Sequence, residues 1–514
     1  MSDATQAAPA THAELMTAPG LSPAAPVRMH GRRPSAIPIG GRRAGEVDAS
    51  TWAAIAIVLV GALLRLYTIV RFTWDQDELY TIEEARDLFH TKLPPGINAR
   101  PLFYLLEHPL LALLPHTPAM LRVLPFVFGV AGLWVTWLVG RRHVGRVGGL
   151  VAVFLASAST WHMETSGQSR YYSLVYLCTA LLLLWLPDAY DSERPRRYLG
   201  ALAAMVLGTL THPSFVFPVI GIVVATSIVT REGRLQLPWP SAKSWRWLWI
   251  PFLTFIGLFF VALQLAHRGA AIRNSVGRGD AATLRLLPAI VEWMTPAVFG
   301  AALVATVCLL LSRSTGRRRV GAIALLSVAV TLGGLFAASF WTAIYATYAT
   351  GLLAVAFVAA GGLAELVSEA TYGRRPLTVA AISIALLGFA VSPSVASHLS
   401  DGTRFDYRPA YAQILREAPA TPVVAWPAVL AQTYAPSLTL LPYRPERAYF
   451  DSLLVRHPEV WVVASVKRAG IALDDTGDVD RWLAANCRRR GSYERPRYDY
   501  RLYRVELYRC SRSQ

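Results

Sequence analysis

Trp74-Asp75-Gln76-Asp77-Glu78 places acidic side chains directly after the first apolar stretch of the chain. Glu83, Glu84 and Asp87 follow within a few turns. Carboxylates beside a bilayer add little to packing and are well placed for proton chemistry. One of them, within hydrogen-bond reach of a hydroxyl, can act as a general base. Adjacent carboxylates at a low-dielectric surface raise each other's pKa, which suits Asp77 or Glu78 to accept a proton. A solvated acidic loop that simply obeys membrane topology has the same composition. A divalent cation on Asp75, Asp77 and Glu78 is compatible with these residue types, although their spacing does not mark one.

Cations complete the chemistry. In Glu164-Thr165-Ser166-Gly167-Gln168-Ser169-Arg170-Tyr171-Tyr172, the arginine stands at the N-terminal end of an apolar run. A cation there opposes both the helix dipole and the positive-inside bias. It calls for an anion: Glu164, Asp77 or a phosphate. A purely structural Arg–carboxylate pair is the plainer alternative. His212, in Thr211-His212-Pro213, closes another run, and a lone histidine is more often a hydrogen-bonding residue than a catalyst. Arg268, Arg273, Arg278 and Arg285 share a loop with only Asp280 against them and with Gly269, Gly277 and Gly279 between them. Such a loop suits a phosphate group, or else anionic lipid or the acidic first loop. No Walker loop, Rossmann fingerprint or metalloprotease helix occurs, so an activated lipid-linked donor is the natural alternative to a nucleotide.

These residues hang on a membrane frame. The chain has 514 residues, 54% of them hydrophobic and only 16% charged. Apolar runs of about 20 residues recur from Thr51 to Ala396, each long enough to span a hydrocarbon core. Their continuous hydrophobicity excludes a β-barrel. The fold class is a polytopic α-helical membrane protein. Spans are expected near 52–71, 119–140, 144–162, 171–188, 198–212, 214–230, 246–267, 291–312, 320–341, 345–368 and 377–397. The net charge of +17 sits mostly on arginines in short clusters between alternate spans, such as Arg141, Arg142 and Arg146 or Arg317, Arg318 and Arg319. These are cytoplasmic anchors rather than a nucleic-acid surface. The acidic loop, the segment 163–170, His212, the loop 268–290 and the C-terminal tail then face outside. Residues 1–50, rich in Ala, Pro and Arg, are expected to be a disordered cytoplasmic leader.

The first outer loop, about 72–118, is expected to be structured. Leu79, Ile82, Ala85 and Phe89 share one helical face, and Glu83, Glu84, Arg86 and Asp87 take the other. Thr81 with Glu84 resembles a capping box. An interfacial amphipathic helix lying on the membrane follows, broken at Pro94-Pro95-Gly96. Pro101 to Pro115 is apolar but short, which suits a juxtamembrane or re-entrant helix. From about residue 399 the character changes to a small α/β domain. Thr421–Trp426 and Glu459–Ser465 read as strands, Tyr498–Cys510 as strand-like, and 407–417, 446–456 and 478–487 as helices. Cys487 and Cys510 would close this domain with a disulfide in an oxidising compartment. Cys178 and Cys308 fall inside spans.

Taken in order, several short motifs resemble the integral-membrane GT-C glycosyltransferases. The resemblance is to the bacterial branch related to protein O-mannosyltransferases, aminoarabinose transferases and the lipopolysaccharide-core transferases of rhizobia. The motifs are Asp77-Glu78; Arg100-Pro101-Leu102-Phe103-Tyr104-Leu105; Leu121-Arg122-Val123-Leu124-Pro125 with Gly129; Ser169-Arg170-Tyr171-Tyr172-Ser173-Leu174; and Leu210-Thr211-His212. They cover roughly residues 55–370. The resemblance implies an inverting transfer from a polyprenyl-phosphate sugar to a glycan, lipid or protein acceptor. Asp77 would be the base and Glu78 would orient the acceptor. Arg100, Arg170 and the outer arginines would stabilise the departing phosphate, with Glu164, Tyr171, Tyr172 and His212 in support. One departure stands out. The family often starts a late span with an Arg-Tyr pair, and here that place is Thr347-Tyr348. A transporter of lipid-linked sugars or solutes, or a non-catalytic envelope assembly protein, is the reading from another class.

Overall fold

In the computed structural model, residues 48–88, 100–115, 117–228, 241–267, 286–339, 344–371, 375–401, 405–444, 446–467, 470–471, 477–495 and 503–512 are described. The leader, Phe89, Pro94-Pro95-Gly96 and all four arginines of the 268–285 segment lie outside them. Every expected span falls on helix. Among the described residues, six helices are long and apolar enough to cross a membrane: Ala49–Arg71, Val123–His143, Tyr172–Ser192, Thr315–Ala338, Gly351–Ala370 and Pro376–Ser400. Leu286–Met294 and Pro296–Leu310 meet at 99° and would make one further crossing if taken together. The other expected spans are shorter or interrupted. The segment expected at 144–162 is two helices, Arg146–Ala158 and Thr160–Ser166, broken at Ser159.

That broken helix sits at the centre of the bundle. Nearly all of Arg146–Ala158 is buried. It crosses Gly351–Ala370 where two glycines meet: a Cβ at Gly361 would lie 2.2 Å from the Gly148 carbonyl oxygen. Small residues permit this approach, which in a membrane replaces the missing hydrophobic drive between helices. The break frees carbonyls at the end of Arg146–Ala158, and a buried arginine from the first span takes them. Arg65 is fully buried. It donates to the Ala156 carbonyl at 2.9 Å, the Ser157 carbonyl at 3.2 Å and the Gly61 carbonyl at 2.8 Å, and meets His162 Nδ1 at 2.6 Å. A guanidinium fork is shaped for this, and the negative end of a helix favours its charge.

The C-terminal region is a sheet layered between helices. Its strands are β1 (Val423–Ala425), β2 (Leu440–Leu441), β3 (Glu459–Lys467), β4 (Gly470–Ile471), β5 (Cys487–Arg495) and β6 (Tyr503–Ser511). The order is β2-β1-β3-β6-β5, with β4 on β3. β1 runs parallel to β2 and β3, whereas β6 is antiparallel to both β3 and β5. Both faces of β3 are apolar, as a two-sided burial requires. Val460, Val462 and Ala464 pack with Phe450, Leu453 and Trp482 from Arg447–Arg456 and Asp478–Asn486. Trp461 and Val463 pack the other way, with Tyr411, Ile414 and Leu430. Strand β5 lies outside the expected strands, and its Cys487-Arg488-Arg489-Arg490-Gly491 carries no apolar alternation. It lies at the sheet edge, where charge is an ordinary protection against stray pairing. Cys487 faces Cys510 across β5 and β6, and the two form a disulfide.

The first loop departs from its expected form in two ways. The helix is Gln76–Arg86, and its capping box is Asp75 with Glu78 rather than Thr81 with Glu84. Thr81 lies inside the helix and donates to the Asp77 carbonyl. Nor does the apolar face lie on lipid. Ile82, Ala85 and Leu88 are buried in the same cluster as Tyr411, Val423, Leu430 and Leu507 of the C-terminal region. The amphipathic pattern was read correctly, but its partner is the sheet layer rather than the membrane. Trp74 N–H donates to the Tyr434 hydroxyl at 2.7 Å, which ties the two together.

Arg65→Ala strands the Ala156 and Ser157 carbonyls and should cost on the order of 2–4 kcal/mol. Thermal unfolding of the detergent-purified protein checks this. Arg65→Lys, which lacks the fork, should recover only part of the loss.

Candidate active site

The acidic pair of the first loop is split in use. Glu78 is fully buried. Its Oε1 accepts from Arg122 Nε at 2.8 Å and from the Ser169 N–H at 2.8 Å. Its Oε2 accepts from Arg122 Nη2 at 2.9 Å and from the Asp75 N–H at 3.0 Å. Both oxygens are therefore committed inside the protein. Arg122 is also fully buried and also donates to the carbonyls of Ile69, Phe72 and Thr73. Its guanidinium lies 4.6 Å from the Trp74 ring centre. One bidentate ion pair thus fixes the exit of the first span, the start of Gln76–Arg86 and the segment before Tyr172–Ser192. The expected acceptor-orienting role does not suit a carboxylate closed off in this way.

Asp77 points the other way. Its side chain is 54% exposed and pairs with Arg170 Nη2 at 3.3 Å. Arg170 is only 12% exposed. It also donates to the Asp77 carbonyl and to Thr81 Oγ1, both at 3.0 Å. Of the three anions expected for Arg170, the carboxylate partner is Asp77. Glu164 is buried on Thr160–Ser166 and accepts from Gln168 Nε2.

An aromatic floor adjoins this pair. Arg170 stacks over Tyr171 at 5.0 Å and over Tyr172 at 5.9 Å. Arg100 stacks over Tyr171 at 4.6 Å. His212 stacks on Tyr171 with centroids 5.0 Å apart and meets Tyr348 at 4.9 Å. Its Nδ1 accepts from the Ser214 N–H at 3.1 Å, so in the neutral ring Nε2 carries the hydrogen. Among the described residues no carboxylate pairs with Arg100, and its Nε is buried without a partner. Where the family often carries arginine, Thr347-Tyr348 lies in a 3-10 turn, Ala346–Ala349. Tyr345 and Tyr348 pack edge to face there at 5.7 Å. The described residues hold no group of three or more His, Cys, Asp or Glu side chains suited to a metal ion. Asp75 and Glu78 face the helix start and Arg122 instead of a shared ligand position with Asp77.

The expected residues Asp77, Glu78, Arg100, Arg170, Tyr171, Tyr172 and His212 thus gather at one end of the bundle. Arg122, Ser169 and Tyr348, quoted among the motifs but given no role in the site, join them, as does Tyr345. Arg122 did carry a signal: like Arg170 it is a cation at the N-terminal end of an apolar helix, here Val123–His143.

Residues 100–256 match the family model of dolichyl-phosphate-mannose-protein mannosyltransferases. No curated protein sequence is similar enough to count as a match. Among solved structures, ArnT from Cupriavidus metallidurans in the apo state is similar at TM-score 0.55 and 14% identity, over 90% of this chain and 98% of that one. The same protein bound to undecaprenyl phosphate is similar at TM-score 0.52 and 15% identity, with the same coverage. The Archaeoglobus fulgidus oligosaccharyltransferase in the apo form is similar at TM-score 0.51 and 12% identity, over 80% of this chain and 69% of that one. The matched segment holds Arg100, Arg122, Arg170 and His212, and the fold extends that match across the membrane bundle. By that segment and this fold, the chain has the architecture of the GT-C integral-membrane glycosyltransferases and carries a segment similar to the mannosyltransferase family.

Proposed function

We propose that the chain moves a sugar from a polyprenyl-phosphate donor to an acceptor hydroxyl at the extracytoplasmic face of a bacterial cytoplasmic membrane, with inversion. The observation that carries this reading is the Asp77–Arg170 pair beside Arg100, a cation held on an aromatic floor with no carboxylate partner among the described residues. A half-buried guanidinium whose Nε lacks a partner among the described residues favours a phosphate, which it can bind through a planar fork. The undecaprenyl phosphate bound by the ArnT structure is a ligand of that chemistry. Asp77, the exposed member of the pair, takes the acceptor proton. The acceptor oxygen attacks the anomeric carbon, and the bond from that carbon to the phosphate oxygen breaks on the opposite side. Arg100 and Arg170 receive the charge that develops on the departing phosphate. Glu78 keeps the loop in shape through Arg122, and Tyr171, Tyr172 and His212 hold the guanidinium planes. The arginines of the 268–285 segment remain candidates for further phosphate contact. The acidic loop, Arg170 and the C-terminal sheet share one end of the bundle. That end is the extracytoplasmic one by the placement of the basic clusters. A transporter would concentrate its charges near the midplane in broken helices, whereas Asp77, Arg100 and Arg170 sit at the bundle end.

Purified protein with a panel of polyprenyl-phosphate sugars, assayed for lipid-phosphate release, tests the reading. Asp77→Asn should lower turnover by about 10²–10⁴-fold with the melting temperature unchanged, as removal of a general base on an exposed side chain requires. A transporter or assembly protein would keep its function in that variant. Glu78→Gln should act on stability instead, because it leaves Arg122 buried and uncompensated. Denaturation should show a loss of about 3–5 kcal/mol. Arg100→Leu should raise the donor KM by at least about tenfold, equivalent to about 1.4 kcal/mol of lost phosphate binding. Initial rates across donor concentrations decide this.

A further inference from the structure

Beneath the site lies a second buried carboxylate that none of these roles uses. Glu107 sits on the helix Pro101–Leu113, which is too short to cross a membrane, and is 1% exposed. Its Oε1 accepts from the Ser169 hydroxyl at 3.0 Å. Its Oε2 is buried and has no hydrogen-bond partner among the described residues. Ser169 therefore bridges two carboxylates, its N–H on Glu78 and its hydroxyl on Glu107. Arg122 neutralises Glu78 and forms no ion pair with Glu107. The residue after Ser169 is Arg170, the partner of Asp77.

Among the described residues no ion pair neutralises Glu107. Gln76–Arg86 brings Glu78 towards it, with Arg122 already spent on that carboxylate. On its own helix, Tyr104 donates to Glu84 at 2.5 Å, and His108 meets the Ala85 carbonyl at 2.7 Å. Arg170, one residue beyond Ser169, turns to Asp77 and Thr81. Pro195–Thr211 also packs against this helix. It offers only His212 at the site end, and its Arg197 pairs with Asp188 elsewhere. Burial raises the Glu107 carboxyl to about 7; the Ser169 hydrogen bond opposes it, and the charge of Glu78 adds a smaller push upward. The neutral acid is therefore the resting form below about pH 7.

We infer that Glu107 is a positioning residue for this site: its neutral carboxyl holds the Ser169 hydroxyl and so fixes the segment that presents Arg170 to Asp77. This deepens the sugar-transfer reading and rests on it. Ionisation of Glu107 puts two buried negative charges on one serine with a single arginine between them. The Ser169 hydrogen bond itself favours the ionised form, so it is the cost of the buried charge, relieved when the segment opens to water, that loosens the segment. The sign follows from the raised pKa. Stability from the neutral acid is complete below the ordinary carboxylate range and is lost as pH rises through about 7.

The deciding experiment compares wild type with Glu107→Gln, which stays neutral at every pH. Hydrogen–deuterium exchange of the peptide spanning Ser169 and Arg170 is followed at about pH 6 and about pH 8 and corrected for intrinsic rates. In wild type, protection should fall by about tenfold across that interval, one unit of titration. In Glu107→Gln it should stay at the low-pH level. Identical pH dependence in the two proteins overturns the assignment. Infrared difference spectra of wild type give a second check should the variant not fold. A carboxylic-acid carbonyl band that disappears over the same interval supports the assignment, and its absence at about pH 6 refutes it. Affinity for undecaprenyl phosphate is measured on the same samples. The ratio of wild-type to variant Kd should be near unity at the lower pH and rise about tenfold at the higher. If no variant binds that lipid at any pH, the sugar-transfer reading fails, while the exchange result still judges Glu107.

Discussion

The site depends on one interaction, the buried pair between Glu78 and Arg122. Two charges withdrawn from water are costly, and the pair persists because each remaining donor and acceptor is answered. Arg122 reaches three carbonyls where the first span ends, and Glu78 takes two backbone N–H groups besides. This places the cost of a buried ion pair where it defines geometry. Remove it, and the span exit, the loop helix and the Ser169–Arg170 segment lose their common reference. Asp77 is held open to solvent because its neighbour in sequence is held shut.

A second device works the same way deeper in the bundle. Arg65 bonds to the carbonyls freed by the break at Ser159, and His162 closes the group. The two arginines share a logic. Each sits where helical backbone ends inside the protein and supplies a rigid fork of donors to carbonyls that would otherwise be unsatisfied. In hydrocarbon such groups have no water to turn to. The helical break in turn lets Thr160–Ser166 run towards the site end and deliver Ser169 and Arg170.

Much of this was legible in the sequence, for physical reasons. Span locations follow from hydrophobic length, Arg170 announces itself as a cation opposing the dipole of an apolar helix, and Asp77 stands out in an acidic loop beside the first span. The two-sided apolar pattern of Glu459–Lys467 required cover on both faces. What stayed hidden were tertiary choices. Nothing local distinguishes Glu78 from Asp77, since only Arg122, far along the chain, decides which one is buried. The apolar face of Gln76–Arg86 looked membrane-directed because a helical period names a face and not its partner. The arginine run of strand β5 gave no strand signal because an edge strand is permitted charge that a central strand is not. Glu107, inside an apolar helix with its partner on Ser169, carried no signal beyond its own presence.

The cluster that joins Ile82 and Ala85 to Tyr411, Leu430 and Leu507 has a consequence for how the molecule comes into being. The loop helix Gln76–Arg86 emerges from the ribosome well before the residues of 407–507 that cover its apolar side. Until strand β6 has paired, that side lacks part of its cover, and the loop has no completed core beneath it. The site therefore waits on a segment of the chain made far later than the loop itself. A chain cut short before the sheet would insert its helices in the bilayer and still lack a finished site.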